Sequence, residues 1–428
     1  MGKMSTEDKE KLNKILVERY NKNSLIRQMV DFDALYEDIM NAAEAKRDSH
    51  HVLQEIGTDY TDIKNKPDNK LYKKIVDIRY MILTKNIPII NHTKFIISDG
   101  LDGKERQIIK PDFGTEQIIH HALVRVLLPT FTRGLYKYSC ASIPGRGIHY
   151  AKKHIEKLIR KQSKHTKYYL KIDIKKFFDS IPHKPLKEML IKKVHDKDVR
   201  DILFKVINTT DAGLPIGFYT SQWLSNLYLE SLDHYISEHI VEDIERDNPR
   251  KSKRSKKKRK RDKCGMKHYF RYMDDMVIFS SNKRKLKKVR EYINKYLEEK
   301  LGLKMKDNWT IVRFSTKPTK KNKKKYGQFL DFVGFKFYYN ETKIRKRIYK
   351  KIKALIKELK ARGKDNISVH QARSMLSYYG FIKWSDTKGL YIKELKPWVS
   401  LKDLKKIVKD EDKRRSKAKM KNNSYSLS

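Results

Sequence analysis

The sequence predicts a mixed α+β fold, and three observations predict it. Two apolar, β-prone runs, residues 269–272 and 276–279, flank the adjacent acids Asp274 and Asp275, a pattern that reads as a tight hairpin with acids at its tip. Residues 168–174 alternate in character, with Leu170, Ile172 and Ile174 on one face of a strand and Tyr169, Lys171 and Asp173 on the other. Helical spacing governs Leu25, Ile26, Met29, Val30, Phe32, Leu35 and Ile39. With 39% apolar residues in a chain of 428, there is enough material for a real core, and wholesale disorder is excluded.

Taken in order, residues 1–90 read as helical and carry no evident chemistry. Residues 94–113 read as two strands joined by a glycine-containing turn, with Lys104, Arg106 and Lys110 on the second. A helix is expected over 116–128. The loop 139–147, with Pro144, Gly145 and Gly147, then leads into a basic helix over 149–161. After the 168–174 strand come a helical stretch over 185–206, a loop at 213–217 and a helix reaching to about 240. The run KSKRSKKKRKR at 251–261 holds nine basic residues in eleven positions and cannot pack; it reads either as a solvated insertion or as a clamp on phosphate backbone. A second basic run covers 317–325, a basic amphipathic helix is expected over 344–360, and residues 413–428 read as a disordered basic tail.

Charge narrows the function. Lys and Arg number 99 against 52 acids, a net charge of +47 spread from end to end. A folded protein so charged needs a polyanion to offset self-repulsion, and nucleic acid fits better than a membrane surface. No apolar run approaches the roughly 18 residues of a membrane span, and the first residues offer no secretory signal, so a cytoplasmic protein is expected. Cys140 and Cys264 stand in unlike contexts and support neither a disulfide framework nor a zinc site.

Within so basic a chain, clustered acids are better suited to holding divalent cations than to packing. Asp173 leaves its strand on the face opposite the apolar one, and Asp274 and Asp275 come from a separate hairpin. Two-metal phosphoryl chemistry needs carboxylates from separate strands in this way. Asp173 and Asp274 are expected as the main ligands, with Asp275 auxiliary because consecutive strand residues point to opposite faces.

YLKIDIKKFFDSI, GLPIGFYTSQWLSNLYL and YFRYMDDMVIF resemble three sequential palm motifs of reverse transcriptases. Leu330-Asp331-Phe332-Val333-Gly334-Phe335 resembles the hairpin that grips the primer, and RQIIKPDF and SCASIPGRGIHYA extend the likeness upstream, so it covers about 95–340. Within that superfamily the blocks look like those of bacterial enzymes of diversity-generating retroelements and their defence-associated relatives.

The resemblance implies a right-hand polymerase fold. It has an N-terminal helical extension (1–90), fingers and palm (91–340, with a basic insertion at 247–266) and a helical thumb (341–412). Fingers fall at about 90–167 and 184–212, palm at 168–183 and 213–340. It implies two Mg²⁺ ions, or Mn²⁺, on Asp173, Asp274, Asp275 and the Ile174 carbonyl. Phe178 would lie under the incoming sugar and disfavour a 2′-hydroxyl. Gly217 and Ser221 would lie beside the nascent base pair, with Ile216 and Gln222 as neighbours. Arg106, with Lys104 and Lys110, would meet the triphosphate, and Phe332, Val333 and Gly334 would form the primer grip. Ile216 and Gln222 depart from the Gln-Gly and Ser-Pro pairs of many relatives; an apolar Ile216 removes a polar check on mispairs, so low fidelity is expected.

The expected partners are an RNA template, a DNA primer and product, deoxynucleotides, a structured non-coding RNA and a small accessory protein, with no membrane. Two other readings stand beside copying in a retroelement. One is a defence polymerase making repetitive or protein-primed DNA, for which Tyr425 is a conceivable primer. The other is a non-catalytic, maturase-like RNA-binding protein. No ribonuclease H segment is recognisable after residue 340.

Overall fold

The alternation at 168–174 folds into an interior strand of a five-stranded sheet. A computed structural model describes residues 4–43, 50–88, 92–98, 105–247, 265–315 and 327–425. Its strands are β1 (Thr93–Ser98), β2 (Glu105–Lys110), β3 (Ser139–Cys140), β4 (Tyr168–Ile172), β5 (Tyr269–Tyr272), β6 (Asp275–Ser280), β7 (Thr310–Arg313), β8 (Leu330–Phe332), β9 (Phe335–Phe337) and β10 (Thr342–Ile344). The main sheet runs β3-β5-β6-β4-β7; β3 lies parallel to β5 and the other pairs are antiparallel. β1 and β2 form a separate hairpin, and β8, β9 and β10 a small third sheet.

One face of the main sheet buries Leu170, Ile172, Met276 and Ile278 against helices Tyr219–Tyr228 and Lys283–Leu301, the latter through Leu286, Val289, Ile293 and Leu297. The other face is covered as well. Tyr169, Val277, Phe279, Phe270 and Phe314 pack against Ile155, Leu158 and Ile159 of helix Ile148–Lys161 and against Phe332, Phe335 and Phe337. The face opposite the apolar one is therefore no open cleft. Aromatic rings bury most of it, while Lys171 and Asp173, at its far end, remain half-exposed.

Helices Thr6–Glu18, Phe32–Ala43 and Lys70–Thr84 form in the region expected to be helical, and they share one continuous core with helix Ile118–Arg133. The last helices are different. Lys346–Arg362, Val369–Lys383 and Leu401–Tyr425 enclose their own cluster around Ile348, Ile352, Met375 and Leu404. The stretch expected over 185–206 is two helices, His183–Lys193 and Lys197–Ile207; Asp196 breaks it by accepting from the Asp198 and Val199 amides, each at 3.1 Å. Helix Leu401–Tyr425 continues through the stretch read as a disordered tail; residues 413–425 lack Gly and Pro and are rich in Lys and Arg, good helix formers. The basic runs at 251–261 and 317–325, Lys104 and Cys264 lie outside the described residues. Cys140 is buried and free. Among the described residues no helix is long and apolar enough to cross a membrane.

Candidate active site

The hairpin β5–β6 pairs Tyr272 with Asp275, leaving Met273 and Asp274 as a two-residue turn. Met273 takes the left-handed conformation (φ 52°), which costs a non-glycine residue roughly 1 kcal/mol. Three contacts hold it there. Its amide donates to the Cys140 carbonyl at 3.3 Å, its carbonyl accepts from Arg271 Nη1 at 3.0 Å, and Ser225 Oγ lies 3.8 Å from its sulfur.

Arg271 is the hub beneath the turn. It is fully buried, and its guanidinium grips Asp233 with two parallel bonds, Nε to Oδ1 at 2.8 Å and Nη2 to Oδ2 at 2.7 Å. It also donates to Asn226 Oδ1 at 3.1 Å and to Ser139 Oγ, while the Tyr269 hydroxyl donates to Asp233 Oδ1 at 2.7 Å. The hairpin is thereby tied to β3 and to the helices bearing Asn226 and Asp233. Sequence reasoning passed over Arg271, Asp233 and Asn226. A cation inside an apolar strand is the available signal, because a buried Arg must find a partner.

Extending the β4–β6 register by one residue sets Asp173 opposite Asp275. The Asp274 carboxyl lies close enough to Asp173 for each to feel the other's charge. Burial pushes the Asp274 acid up to about 7, and the charges of Asp173 and Asp275 add to the shift. Burial also raises Asp275, against the pull of Lys171. Asp173 Oδ2 is paired with Lys306 Nζ, whereas Asp173 Oδ1 is buried with no hydrogen-bond donor.

These oxygens fit a hard divalent cation. They are carboxylates, close together, and one buried oxygen lacks any donor. Among the described residues no three His, Cys, Asp or Glu side chains converge as a metal-holding group. The structure therefore brings Asp173 and Asp274 together as a pair, with Asp275 beside Lys171. A Mg²⁺ ion needs no more than one or two protein carboxylates when substrate phosphates and water complete its shell. Ile174, expected to offer its carbonyl, follows directly and makes an isolated bridge to Met305.

Three other predicted segments are zipped together by backbone hydrogen bonds. The Phe178 carbonyl accepts from Leu214 N at 2.7 Å, and the Ile216 carbonyl accepts from Ile109 N of β2 at 2.8 Å. Phe178 is half-exposed and meets buried Phe177 edge-on at 5.5 Å, so it is only partly a core residue. Gly217 has φ 120°, and a Cβ there would stand 2.3 Å from the Ile109 carbonyl. The close approach that this glycine permits is thus to the chain's own β2. Ile216 is half-buried, Ser221 buried and Gln222 exposed. Arg106 and Lys110 are exposed and share one face of β2. In the β8–β9 turn Phe332 is buried, Val333 (φ 46°) and Gly334 (φ 85°) are left-handed, and a Cβ on Gly334 would crowd Phe381 at 2.9 Å. That turn sits on the C-terminal helices, where the Arg345 amide donates to the Gly334 carbonyl at 3.0 Å and Arg345 Nε to Asp331 at 2.7 Å.

A family model described as "Reverse transcriptase (RNA-dependent DNA polymerase)" matches residues 104–335, more than half of the chain. The putative COX1/OXI3 intron 2 protein of Saccharomyces cerevisiae is 24% identical over 190 residues, 35% of this chain and 22% of that protein. The group II intron-encoded protein LtrA of Lactococcus lactis is 23% identical over 267 residues, 51% of this chain and 43% of that protein. The chain thus spans less than half the length of these relatives. Among solved structures, apo telomerase from Candida tropicalis truncated from its C-terminal domain gives a TM-score of 0.41 at 14% identity, covering 60% of this chain and 55% of that one. Telomerase from Candida albicans with a fragment of telomeric RNA gives 0.37 at 13% identity, covering 71% and 56%.

Proposed function

Since the chain belongs to the reverse transcriptase family and has its mixed α+β polymerase fold, we propose that it copies an RNA template into complementary DNA. The observation that carries this reading is the Asp173–Asp274 pair, two half-buried acids, one just past the end of β4 and one at the β5–β6 turn, in a chain of net charge +47. A purely RNA-binding protein would gain nothing from desolvating acids within a basic surface, so the maturase-like reading is the weaker one.

The reaction joins the primer 3′-hydroxyl oxygen to the α-phosphorus of a deoxynucleoside triphosphate; the bond to pyrophosphate breaks and the hydroxyl proton is released. Enzymes of this family use divalent metal ions. In this chain Asp173 and Asp274, with Asp275 and the Ile174 carbonyl beside them, would hold two Mg²⁺ or Mn²⁺ ions. When bound, these would activate the hydroxyl and neutralise phosphate charge. Arg271 is a positioning residue, because it fixes the turn that carries Asp274. Phe178 excludes a 2′-hydroxyl, and Arg106, with Lys104 and Lys110, meets the triphosphate. The loop at Ile216, Gly217, Ser221 and Gln222 faces the nascent pair, while Phe332, Val333 and Gly334 support the primer. Fingers at 90–167 and 184–212, palm at 168–183 and 213–340, and thumb at 341–412 complete the hand.

The Ile216 and Gln222 pattern favours a retroelement enzyme of the diversity-generating or defence-associated kind, working with a structured RNA and a small accessory protein. Copying at low fidelity belongs to this reading, and a misincorporation frequency matching that of high-fidelity polymerases would refute it. The defining test is primer extension on a defined RNA template with each deoxynucleotide in turn. Template-directed product is expected from the parent and none from Asp274→Asn, with RNA binding kept; extension that ignores the template would overturn the proposal.

A further inference from the structure

A cavity of about 1060 Å³ lies away from the acidic turn. It sits at the opposite end of the sheet, where β6 finishes at Ser280 and β4 begins after His165. Five residue steps along β6 separate Asp275 from Ser280, or about 16 Å at ~3.3 Å per residue. Helix Ile148–Lys161 forms one wall and the segment leading into β5 another, with the start of helix Lys283–Leu301 at the rim.

Its lining is the reverse of the active site's. Among the described residues five lysines and three histidines face it, against one carboxylate, Glu245. Lys137, Lys157, Lys161 and Lys267 are exposed at the rim and floor. Rings stand among these cations. Tyr138 packs on Phe270 at 4.7 Å and on His154 at 5.2 Å, and His165 faces His268 at 5.5 Å. His268, pushed down to about 4 by burial and by its neighbours His165, Lys267 and Lys137, stays neutral at physiological pH and offers a ring face rather than a charge. Small-molecule pockets are mostly apolar with a few polar groups. A concave surface that alternates ammonium groups with aromatic faces is instead the pattern that holds a single strand, with phosphates on the lysines and bases on the rings.

We propose that this cavity is a second RNA site, which takes a single-stranded segment by its phosphodiester backbone and by stacking, separate from the cleft where copying occurs. The site does not depend on the polymerase reading. A strand lying there would tether RNA to the back of the sheet while another part of the same or a different RNA is free to enter the front. An acidic protein is the competing occupant. It would use the lysines but has no need of Tyr138, His154, His165 and His268 as stacking surfaces.

The test uses the full chain with its copying cleft saturated by an unlabelled RNA–DNA hybrid. The affinity for a fluorescein-labelled, unpaired RNA oligomer is then measured across a salt series. Lys157→Glu with Lys161→Glu is expected to weaken binding at least tenfold. It should also flatten the slope of log affinity against log salt by about 1.4, two contacts at ~0.7 each for single strands. Extension of the hybrid should stay within twofold of the parent, which also shows that the variant folds. His268→Ala should weaken binding severalfold with the slope unchanged, as a stacking contact would. RNA carrying 4-thiouridine should crosslink to peptides holding Tyr138, His154 or His268. Binding and slope unchanged in the double variant, crosslinks confined to other surfaces, or displacement by polyglutamate but not by RNA would each overturn the proposal. Because the readout is binding, a parent that binds at this site yet fails to extend a primer would sink the polymerase reading and leave this one standing.

Discussion

The two ends of one sheet carry opposite chemistry and opposite mechanics. At the turn end, Asp173, Asp274 and Asp275 are drawn in from water and held by a network with little freedom: Arg271 is fully buried, Met273 is left-handed, and each contact fixes the next. At the far end, lysines on long flexible stems surround an open cavity. The contrast is what each task requires. Holding reacting atoms needs positions fixed within about half an ångström, whereas gripping a strand by its phosphates tolerates adjustment.

The largest effect that sharpens this contrast should come from the acids themselves. Asp173→Asn is expected to lower primer extension by at least ~1,000-fold, comparable to losing a key electrostatic element of an active site. Asp275→Asn, beside Lys171 and outside the pair, should cost nearer ~10–100-fold. Single-turnover extension rates check this, and equal losses would dissolve the distinction between pair and auxiliary.

Breaking the hub comes next. Arg271→Met leaves Asp233 charged and buried without its partner, so a loss of about 3–5 kcal/mol is expected in chemical denaturation. Lys161→Met, at the adaptable end, should stay within about 0.5 kcal/mol of the parent. Similar losses at both ends would break the comparison.

A smaller effect concerns pH. The Asp274 acid lies near 7 in the folded chain against an ordinary 3.8, so the folded state binds this proton more tightly than the unfolded state does. Its contribution to stability is complete below about pH 4 and is lost as pH rises through 7. The melting temperature of chelator-treated protein should therefore fall between pH 6 and 8. Asp274→Asn should lessen that fall, and a variant with the parent's slope would contradict the assignment. The smallest effect expected is from Phe178→Ala, which should raise ribonucleotide incorporation about tenfold relative to deoxynucleotides, read from paired kcat/KM values.

Much of this was legible in the sequence because local patterns carry it. The hairpin around Asp274, the strand ending at Asp173 and the β1–β2 hairpin follow from alternation and turn chemistry. What was missed depends on groups distant in sequence. Arg271 reaches Asp233, Asn226 and Ser139, and no local pattern announces that convergence. Two-residue β3 is too short for a periodic signal and exists because β5 lies beside it. The cover on the second face has no local signal, because Phe314, Phe332 and Phe335 arrive from segments more than a hundred residues beyond β4. At Gly217 the close neighbour is the Ile109 carbonyl, about a hundred residues earlier, and no local pattern names it.

The most direct test of the central claim is Mn²⁺ binding followed by electron paramagnetic resonance, with primer, RNA template and a non-hydrolysable deoxynucleotide present. The account predicts saturable binding in the parent that is lost on Asp173→Asn and on Asp274→Asn alike. Undiminished binding in either variant would contradict it.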